Sequence, residues 1–340
     1  MTKRTRLFLG VASGILVVGL GTGLVAAYVG GFQNLPLIGG DGPAELTYVP
    51  ADAGVVAYAD IRNVMNSEVR RKLSAFQGTS DGAVHFKEQT GIDLETDIDY
   101  VVASASGTGE PTQGEPPLVL AKGRFDEVRI EGLIRDQGGV VEDYNGSKLL
   151  ISDEKKLAVV FLEPGLVAIG GADAVRKSID TKAAGSNVKG NDEVMRLVRD
   201  IDDGDAWVVA RFDALTGGRL PVEVANQLPP INWFSARGFV NSGVDGQLRV
   251  ETRDEVSAKN LQDVVRGFMA LGRLQTGQHP EVAAFLDTVQ LSGDGKTVSL
   301  SFSLPPEMIE ALGALRAQRP APRTTPAPTP VPKPDGAPAL

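Results

Sequence analysis

The chain has no cysteine and only two histidines among its 340 residues. Without thiols it cannot form disulfides, iron–sulfur clusters or zinc sites built on thiolates. Two histidines offer little material for a transition-metal site or for a catalytic centre that depends on imidazole. Aromatic residues make up 6% of the chain, and no stripe of aromatic and basic side chains indicates a single-strand nucleic-acid binder. We therefore expect no cofactor, no resident metal and no nucleic-acid partner.

Sequence motifs of common enzyme families are missing as well. No Gly-x-Ser-x-Gly segment occurs, so the nucleophile elbow of the α/β-hydrolases is absent. Gly295-Lys296-Thr297 resembles the end of a phosphate-binding loop, but Gln290 stands where such a loop needs a glycine. We therefore assign no catalytic and no cofactor-binding residue. The sequence favours a protein that is not an enzyme, without deciding the question.

The chain does contain one long uncharged segment, residues 7–32. Lys3, Arg4 and Arg6 precede it, and the next charged residue is Asp41. About 20 helical residues cross a hydrocarbon core of about 30 Å, so this segment is long enough to span a membrane. The positive-inside rule places the N-terminus in the cytoplasm. We therefore predict a single-pass signal anchor in the inner membrane, with an extracytoplasmic, periplasmic body.

A cleaved signal peptide is the alternative interpretation of this segment. Val25-Ala26-Ala27 would serve as a cleavage site, although the apolar run is longer than the usual stretch of about 7–15 residues. Both interpretations export the body of the protein. If the segment is retained, two Gly-x-x-x-Gly patterns would let two membrane helices approach closely and form a homodimer, although glycine is also common in membrane helices without this role. The glycines concerned are Gly10, Gly14, Gly19 and Gly23.

The net charge of the chain at neutral pH is −9. Both ends are basic, so the part between them is more acidic than the whole chain. An acidic surface repels nucleic acid and anionic lipid headgroups. A contact between this body and a membrane would therefore depend on the anchor or on an apolar patch.

The composition divides the chain into six segments. Two similar stretches lie at its centre, because Val-Val-Ala-x-x-Asp begins at Val55 and again at Val208, and Asp-Glu-Val follows a predicted strand at Asp126 and again at Asp254. We therefore predict an α+β fold with two related units and largely antiparallel sheets. The predicted segments are a cytoplasmic N-terminus (1–6), a transmembrane helix (7–32), a linker (33–47), two α+β units (48–185 and 186–316) and a disordered Pro-rich tail (317–340).

Several local patterns predict individual elements. Asp126 is typical of a helix N-cap, and Asn145-Gly146 is the strongest hairpin signal, because both residues tolerate positive φ. Apolar spacing predicts a helix over 63–76 and a late hairpin whose strands are 285–292 and 297–304.

One stretch of the sequence resembles a group of known proteins. Tyr48 to Asp60, followed by Thr90 to Asp93 and Asp97 to Asp99, is similar to bacterial membrane-anchored envelope proteins. In these proteins an N-terminal membrane segment precedes an exported domain that opens with a Pro-Ala-Asp-x-x-Val-Val-Ala-Tyr strand. The resemblance covers mainly residues 48–104. It implies a location and an architecture but no activity, because the group has no established function.

Two groups of carboxylates are candidates for a hard-cation site. One alternates along a single stretch and the other surrounds a glycine, and carboxylate oxygens are the ligands that calcium and magnesium prefer. Acids in such patterns more simply mark a solvated face or a turn, so we assign no metal ligand. The two groups are Asp93, Glu95, Asp97 and Asp99, and Asp200, Asp202, Asp203 and Asp205.

An apolar run after residue 227 is the candidate for a contact patch. Its large side chains follow or flank Pro229-Pro230 in what we interpret as a Pro-broken loop. Large aromatic residues usually fill a core, but an exposed patch of this kind would bind a lipid or a partner protein. The residues are Leu228, Ile231, Trp233 and Phe234.

Together these features favour a membrane-anchored extracytoplasmic protein that binds or scaffolds another component of a bacterial envelope. The partner would be an envelope protein or a lipid. The alternative is an exported hydrolase with a carboxylate pair or a hard metal at one of the acidic groups. It requires those acids to converge in a cleft.

Overall fold

The computed structural model describes residues 41–77, 87–88, 91–106, 116–151, 157–216, 228–275 and 280–309. The predicted membrane helix with Gly10, Gly14, Gly19 and Gly23, and the Pro-rich tail, lie outside these residues. In the part of the chain that the structure describes, no helix combines the length and the apolar character needed to cross a bilayer.

The described residues form a single antiparallel sheet of twelve strands. Its order is β11-β12-β10-β9-β8-β1-β2-β3-β7-β6-β5-β4, so β11 and β4 are its edges. The strands are β1 Ala53–Ala59, β2 Ile98–Ser106, β3 Leu118–Gly123, β4 Val140–Tyr144, β5 Ser147–Ile151, β6 Ala158–Glu163, β7 Leu166–Gly170, β8 Ala206–Arg211, β9 Ile231–Val240, β10 Val244–Thr252, β11 Gln290–Asp294 and β12 Thr297–Leu304.

Helices and two short 3₁₀ turns connect these strands. The 3₁₀ turns are Ala44–Tyr48 and Val188–Gly190. The α-helices are α1 Ile61–Asn66, α2 Glu68–Gln77, α3 Glu127–Asp136, α4 Ala172–Ala184, α5 Asp192–Arg199, α6 Phe212–Thr216, α7 Glu255–Gln275 and α8 Pro280–Thr288.

The sheet buries an apolar cluster on each of its two faces. We call the face that packs against α1, α2, α3 and α8 the front face, and the face that packs against the 3₁₀ turns, α4 and α5 the back face. Successive side chains of a strand point to opposite faces. On β2, accordingly, Val101 and Ala103 lie in the front cluster and Val102 lies in the back cluster. Strands buried on both faces have unbroken apolar runs, as in residues 118–121 of β3.

The end of the sheet that carries β10, β12 and β11 is built differently. Its apolar side chains, such as Leu300 and Phe302, pack on the front face. Polar residues alternate with them, and Gln247 pairs with Ser301 on the back face. The back face of this end is therefore more polar than its front face.

The centre of the sheet is the antiparallel pair of β1 and β8, in which Tyr58 lies opposite Trp207. From this pair the order runs outward through β2, β3, β7 and β6 on one side and through β9, β10, β12 and β11 on the other. The two orders correspond, except that the hairpin β4–β5 extends the first. The α+β class is confirmed, but the predicted separate sheets are not found, because strands of both predicted units join in one sheet. The segment boundaries remain a prediction.

Two local predictions are confirmed in detail. The Asp126 carboxylate accepts a hydrogen bond from the Arg129 backbone N–H (3.0 Å) and caps α3. Asn145 and Gly146 have φ of 49° and 79° and connect β4 to β5. Both signals are local in sequence, which is why the sequence suffices to predict them.

Three other local predictions are wrong in part. The helix predicted over 63–76 is interrupted at Ser67, whose hydroxyl accepts from the Arg70 backbone N–H (3.1 Å) and starts a second helix. Residues 285–288 belong to α8, and the strand starts only at Gln290. The loop predicted to run through 228–234 ends at Pro230, because β9 begins at Ile231.

Candidate functional site

The first described residues of the chain are fixed against the back face. Leu46 and Val49 have no exposed surface. The Val49 carbonyl accepts a hydrogen bond from the Val188 backbone N–H (2.8 Å), and the Tyr48 carbonyl accepts one from the Ser178 hydroxyl (2.9 Å). The segment 41–50, which we call the lead-in segment, is therefore part of the core, although we predicted a linker as far as residue 47.

The lead-in segment covers a group of aromatic side chains on the central strands. Tyr58 of β1 stacks on Trp207 of β8, with ring centroids 5.7 Å apart, and its ring also lies 5.7 Å from that of Tyr100 on β2. Trp207 is buried, whereas Tyr58 and Tyr100 are half-buried. Together with Tyr48 and Glu45 of the lead-in segment, these residues form what we call the tyrosine cluster.

Glu45 is the buried acid of the tyrosine cluster. Only 7% of its surface is exposed. The Tyr100 hydroxyl donates to Glu45 Oε1 (2.8 Å), while Glu45 Oε2 is buried and has no hydrogen-bond partner in the part of the chain that the structure describes. Buried carboxylates are ordinarily paired with a cation or fully hydrogen-bonded. Glu45 therefore differs from the other acids described below, which have such partners.

Tyr48 makes a second tyrosine–glutamate pair beside the first. Its hydroxyl donates to Glu163 Oε1 (2.7 Å). The Lys182 ammonium lies 4.5 Å from the centroid of the Tyr48 ring and 3.9 Å from Glu163 Oε1. This pair thus holds a cation of the chain both against an aromatic face and beside a carboxylate.

The electrostatics of the cluster keep its phenols protonated. Burial raises the pKa of Tyr48, Tyr58 and Tyr100 well above the usual value. Nearby acids raise these pKa values further, and the charge of Glu45 contributes in all three cases. These hydroxyls therefore act as hydrogen-bond donors rather than as proton-transfer groups. The cluster is suited to binding through donors, aromatic faces and one carboxylate.

The first predicted acidic group is dispersed over separate ion pairs. Asp93 pairs with Lys87 (2.6 Å), and this contact lowers the pKa of the Asp93 carboxyl. Glu95 pairs with Arg70, Asp97 with Arg124, and Asp99 with both Arg62 and Arg124. Each acid thus has a basic partner, and Asp97 and Asp99 share Arg124.

The second predicted acidic group is held partly by arginines and partly by backbone N–H groups. Asp203 pairs with Arg237 (2.5 Å), Asp200 pairs with Arg249 (3.5 Å), and Asp202 accepts from the Gly42 backbone N–H (3.4 Å). Asp205 accepts from the Val240 backbone N–H (2.7 Å). Among the described residues, no three His, Cys, Asp or Glu side chains converge as a metal site would require. The hydrolase alternative therefore receives no support from either acidic group.

Of the four residues of the predicted contact patch, Ile231, Trp233 and Phe234 lie at the start of β9 and Leu228 lies just before it. Trp233 is 6% exposed and packs in the back cluster, where its indole N–H donates to Glu193 Oε1 (2.7 Å). Leu228 and Ile231 pack beside α7 and are half-buried, as is Phe234. A patch at this place would consist of Leu228, Ile231 and Phe234, and its role in contact remains a prediction.

The tyrosine cluster is not among the sites predicted from the sequence. The Tyr58 and Trp207 strands were identified, but the register that sets these rings opposite each other depends on pairing across about half of the chain. Glu45 lies in a stretch that carries no helical or strand period. The one available signal was chemical, namely a glutamate among apolar residues directly before the strand motif.

Comparisons with known proteins give a fold likeness and no family. The sequence matches no protein-family profile and no curated protein. Among solved structures, crystal form III of TP0453 of Treponema pallidum has a TM-score of 0.49 at 10% identity, over 81% of this chain and 98% of that one. Crystal form IV of TP0453 gives a TM-score of 0.47 at 11% identity, over 80% of this chain and 96% of that one. At such identity the likeness concerns the path of the chain and carries no information about what this chain binds.

Proposed function

We propose that this chain is a single-pass, membrane-anchored extracytoplasmic protein whose sheet domain binds another component of a bacterial envelope. The uncharged segment 7–32, with Lys3, Arg4 and Arg6 before it, supports the anchor and its orientation. The resemblance of residues 48–104 to envelope proteins supports the compartment.

The observation that carries this proposal is the fixed lead-in segment. Leu46 and Val49 are fully buried on the back face, so the domain is not suspended on a long flexible linker. The eight residues 33–40 would separate the end of the predicted span from the first described residue, and eight extended residues reach at most about 30 Å. The anchor would hold the domain close to the bilayer, with the lead-in segment toward it.

The tyrosine cluster supports binding rather than catalysis as the activity of the domain. The Tyr100 hydroxyl donates to Glu45, and the second oxygen of that buried carboxylate has no hydrogen-bond partner among the described residues. A partner held at the membrane surface would meet the domain at the side from which the chain enters.

Fractionation of cells tests the anchor. We expect the full chain in the membrane fraction and a version that starts at residue 33, exported by an unrelated cleavable signal, in the soluble extracytoplasmic fraction. Protease added to spheroplasts should digest the body of the full chain. A body protected from protease until the membrane is lysed would contradict the proposed orientation, and a mature N-terminus near Ala27 would favour the cleaved signal peptide.

Native mass spectrometry of the full chain, extracted gently from its own membrane, tests the binding class. We expect a lipid or a stoichiometric envelope protein to remain bound. A chain that is stripped of every ligand under conditions that keep other membrane complexes intact would contradict the binding role. The same spectra give the oligomeric state, and a dimer lost on replacing Gly10, Gly14, Gly19 and Gly23 with leucine would support packing of the membrane helices.

A further inference from the structure

The tyrosine cluster contains an acceptor without a donor. Glu45 is more than nine-tenths buried, its Oε1 accepts from the Tyr100 hydroxyl, and its Oε2 has no hydrogen-bond partner within the described ranges. Unsatisfied buried acceptors are rare in folded proteins because they lose their hydration without compensation. The geometry therefore calls for a hydrogen-bond donor at Glu45 that the described residues do not supply.

The neighbouring pair of Tyr48 and Glu163 indicates which donor would fit. There, too, a tyrosine hydroxyl donates to a glutamate, and the Lys182 ammonium completes the group by lying over the ring and near the carboxylate. The pair of Tyr100 and Glu45 repeats the first half of this arrangement. What it lacks, among the described residues, is the ammonium.

The chain's own lysine nearest in register does not fill this place. Lys122 lies opposite Tyr100 in the pairing of β2 and β3, but its ammonium donates to the Pro164 carbonyl (3.3 Å). The charged groups that raise the pKa of Tyr58 are acids, namely Asp60, Asp205 and Glu45. Their negative charge favours a cation near this ring.

We propose that Glu45 and Tyr100, with the half-buried ring of Tyr58, bind the primary ammonium group of a small amine or of an aminolipid headgroup. A primary ammonium supplies N–H donors to Glu45 Oε2 and also interacts with aromatic faces. A quaternary ammonium carries no N–H and would leave the oxygen unsatisfied. A bare metal ion does not fit, because no three suitable ligands converge in the described residues. The site does not depend on the membrane anchor.

Titration calorimetry on the full chain in detergent tests this site, with ethanolamine as the probe and tetramethylammonium as the quaternary control. We expect saturable binding of ethanolamine and at least about tenfold weaker binding of tetramethylammonium, because a charge-assisted hydrogen bond is lost. Glu45→Gln should weaken ethanolamine binding by about the same factor. Tyr100→Phe leaves the carboxylate in place and should weaken it less, which keeps the test valid if Glu45→Gln does not fold.

Glu163→Gln is the matched control, since it alters the neighbouring pair that already holds Lys182. It should leave ethanolamine binding unchanged. Ethanolamine binding that is unaffected by Glu45→Gln, or equal binding of tetramethylammonium, would overturn the proposal. So would the absence of binding by both ethanolamine and aminolipid to the folded chain.

Reconstitution of the full chain in phosphatidylcholine bilayers, with and without phosphatidylethanolamine, separates the two sources of the ammonium. A rise in thermal stability with phosphatidylethanolamine that Glu45→Gln removes would assign the site to a headgroup. Binding of free ethanolamine without such a rise would assign it to a small soluble amine. Both results support the site, and neither depends on the orientation that the fractionation experiment tests.

Discussion

Trp233 distinguishes the two interpretations of the apolar run after residue 227, namely a core-filling segment and an exposed contact patch. Its ring fills the back cluster beside α5 and is 6% exposed. We expect Trp233→Ala to lower the free energy of unfolding by about 3 kcal/mol or more, since removal of a buried indole leaves a cavity. Chemical denaturation followed by circular dichroism measures this loss. Asn232→Ala, at the exposed position next to it, should change the stability little, and an equally small effect of Trp233→Ala would contradict its place in the core.

The tyrosines of the cluster predict how the protein responds to alkali. Burial and nearby acids raise the pKa of Tyr48, Tyr58 and Tyr100 in the folded state. A pKa raised by folding means that the folded state binds the proton more tightly. The resulting stability is fully present below the ordinary tyrosine pKa of about 10 and is lost as the pH rises above it. In the folded protein, the phenolate absorbance should therefore appear at a higher pH than in denaturant, and coincident titration curves would contradict the buried cluster.

At the residue scale, the sequence could identify side chains by local chemistry but could not assemble them. Asp126 and Asn145-Gly146 were predicted because a cap and a tight turn involve neighbours in sequence. Glu45 was not, because its partner Tyr100 lies 55 residues away. The acids of the two predicted groups have the composition of cation ligands, but the side chains and backbone groups that they contact lie on other elements, which a pattern of acids does not reveal.

At the scale of single elements, replacing glycine with alanine should have opposite effects on stability at two positions. Gly146 has φ of +79° in the turn between β4 and β5, and Gly132 lies inside α3, and a Cβ at either position would meet open space. Gly146→Ala should destabilise the protein by about 1 kcal/mol, because alanine is strained at positive φ. Gly132→Ala should stabilise it by about 0.5–1 kcal/mol, because glycine is a poor helix former. Thermal unfolding of the two variants checks both signs, and a shift in the same direction for both would contradict the assigned backbone conformations.

Elements were predicted where their own residues decide the structure and missed where packing decides it. The hairpin β4–β5 has its own turn signal in Asn145-Gly146. The start of β9 has no such signal, since Pro229-Pro230 indicate a loop and Phe234 ends the alternation that Ile231, Asn232 and Trp233 begin. Residues 285–288 would suit a strand equally well, but Phe285 turns toward Phe302 of β12, 5.8 Å away between ring centroids, as part of a helix that covers the front face.

At the scale of the whole molecule, the pairing of β1 with β8 is the feature that no local pattern predicts. The repeated Val-Val-Ala-x-x-Asp motif marks both strands, but it does not say that they lie side by side and antiparallel. Through this pair, the front cluster extends from Ile130 of α3 to Phe302 of β12, and the back cluster extends from Leu46 to Trp233. Each core therefore contains residues of both predicted units.

A shared core predicts that the two predicted units unfold together. Trp207 stacks on Tyr58 across the central pair, so tryptophan and tyrosine signals overlap there. Hydrogen-exchange protection of the amides in β3 and β7, and of those in β10 and β12, gives one signal for each unit away from that pair. In denaturant both signals should change at the same midpoint, because opening the β1–β8 pair exposes the front and back clusters on both sides at once. Two separated midpoints would mean that the units are stable independently and that the central pair contributes little.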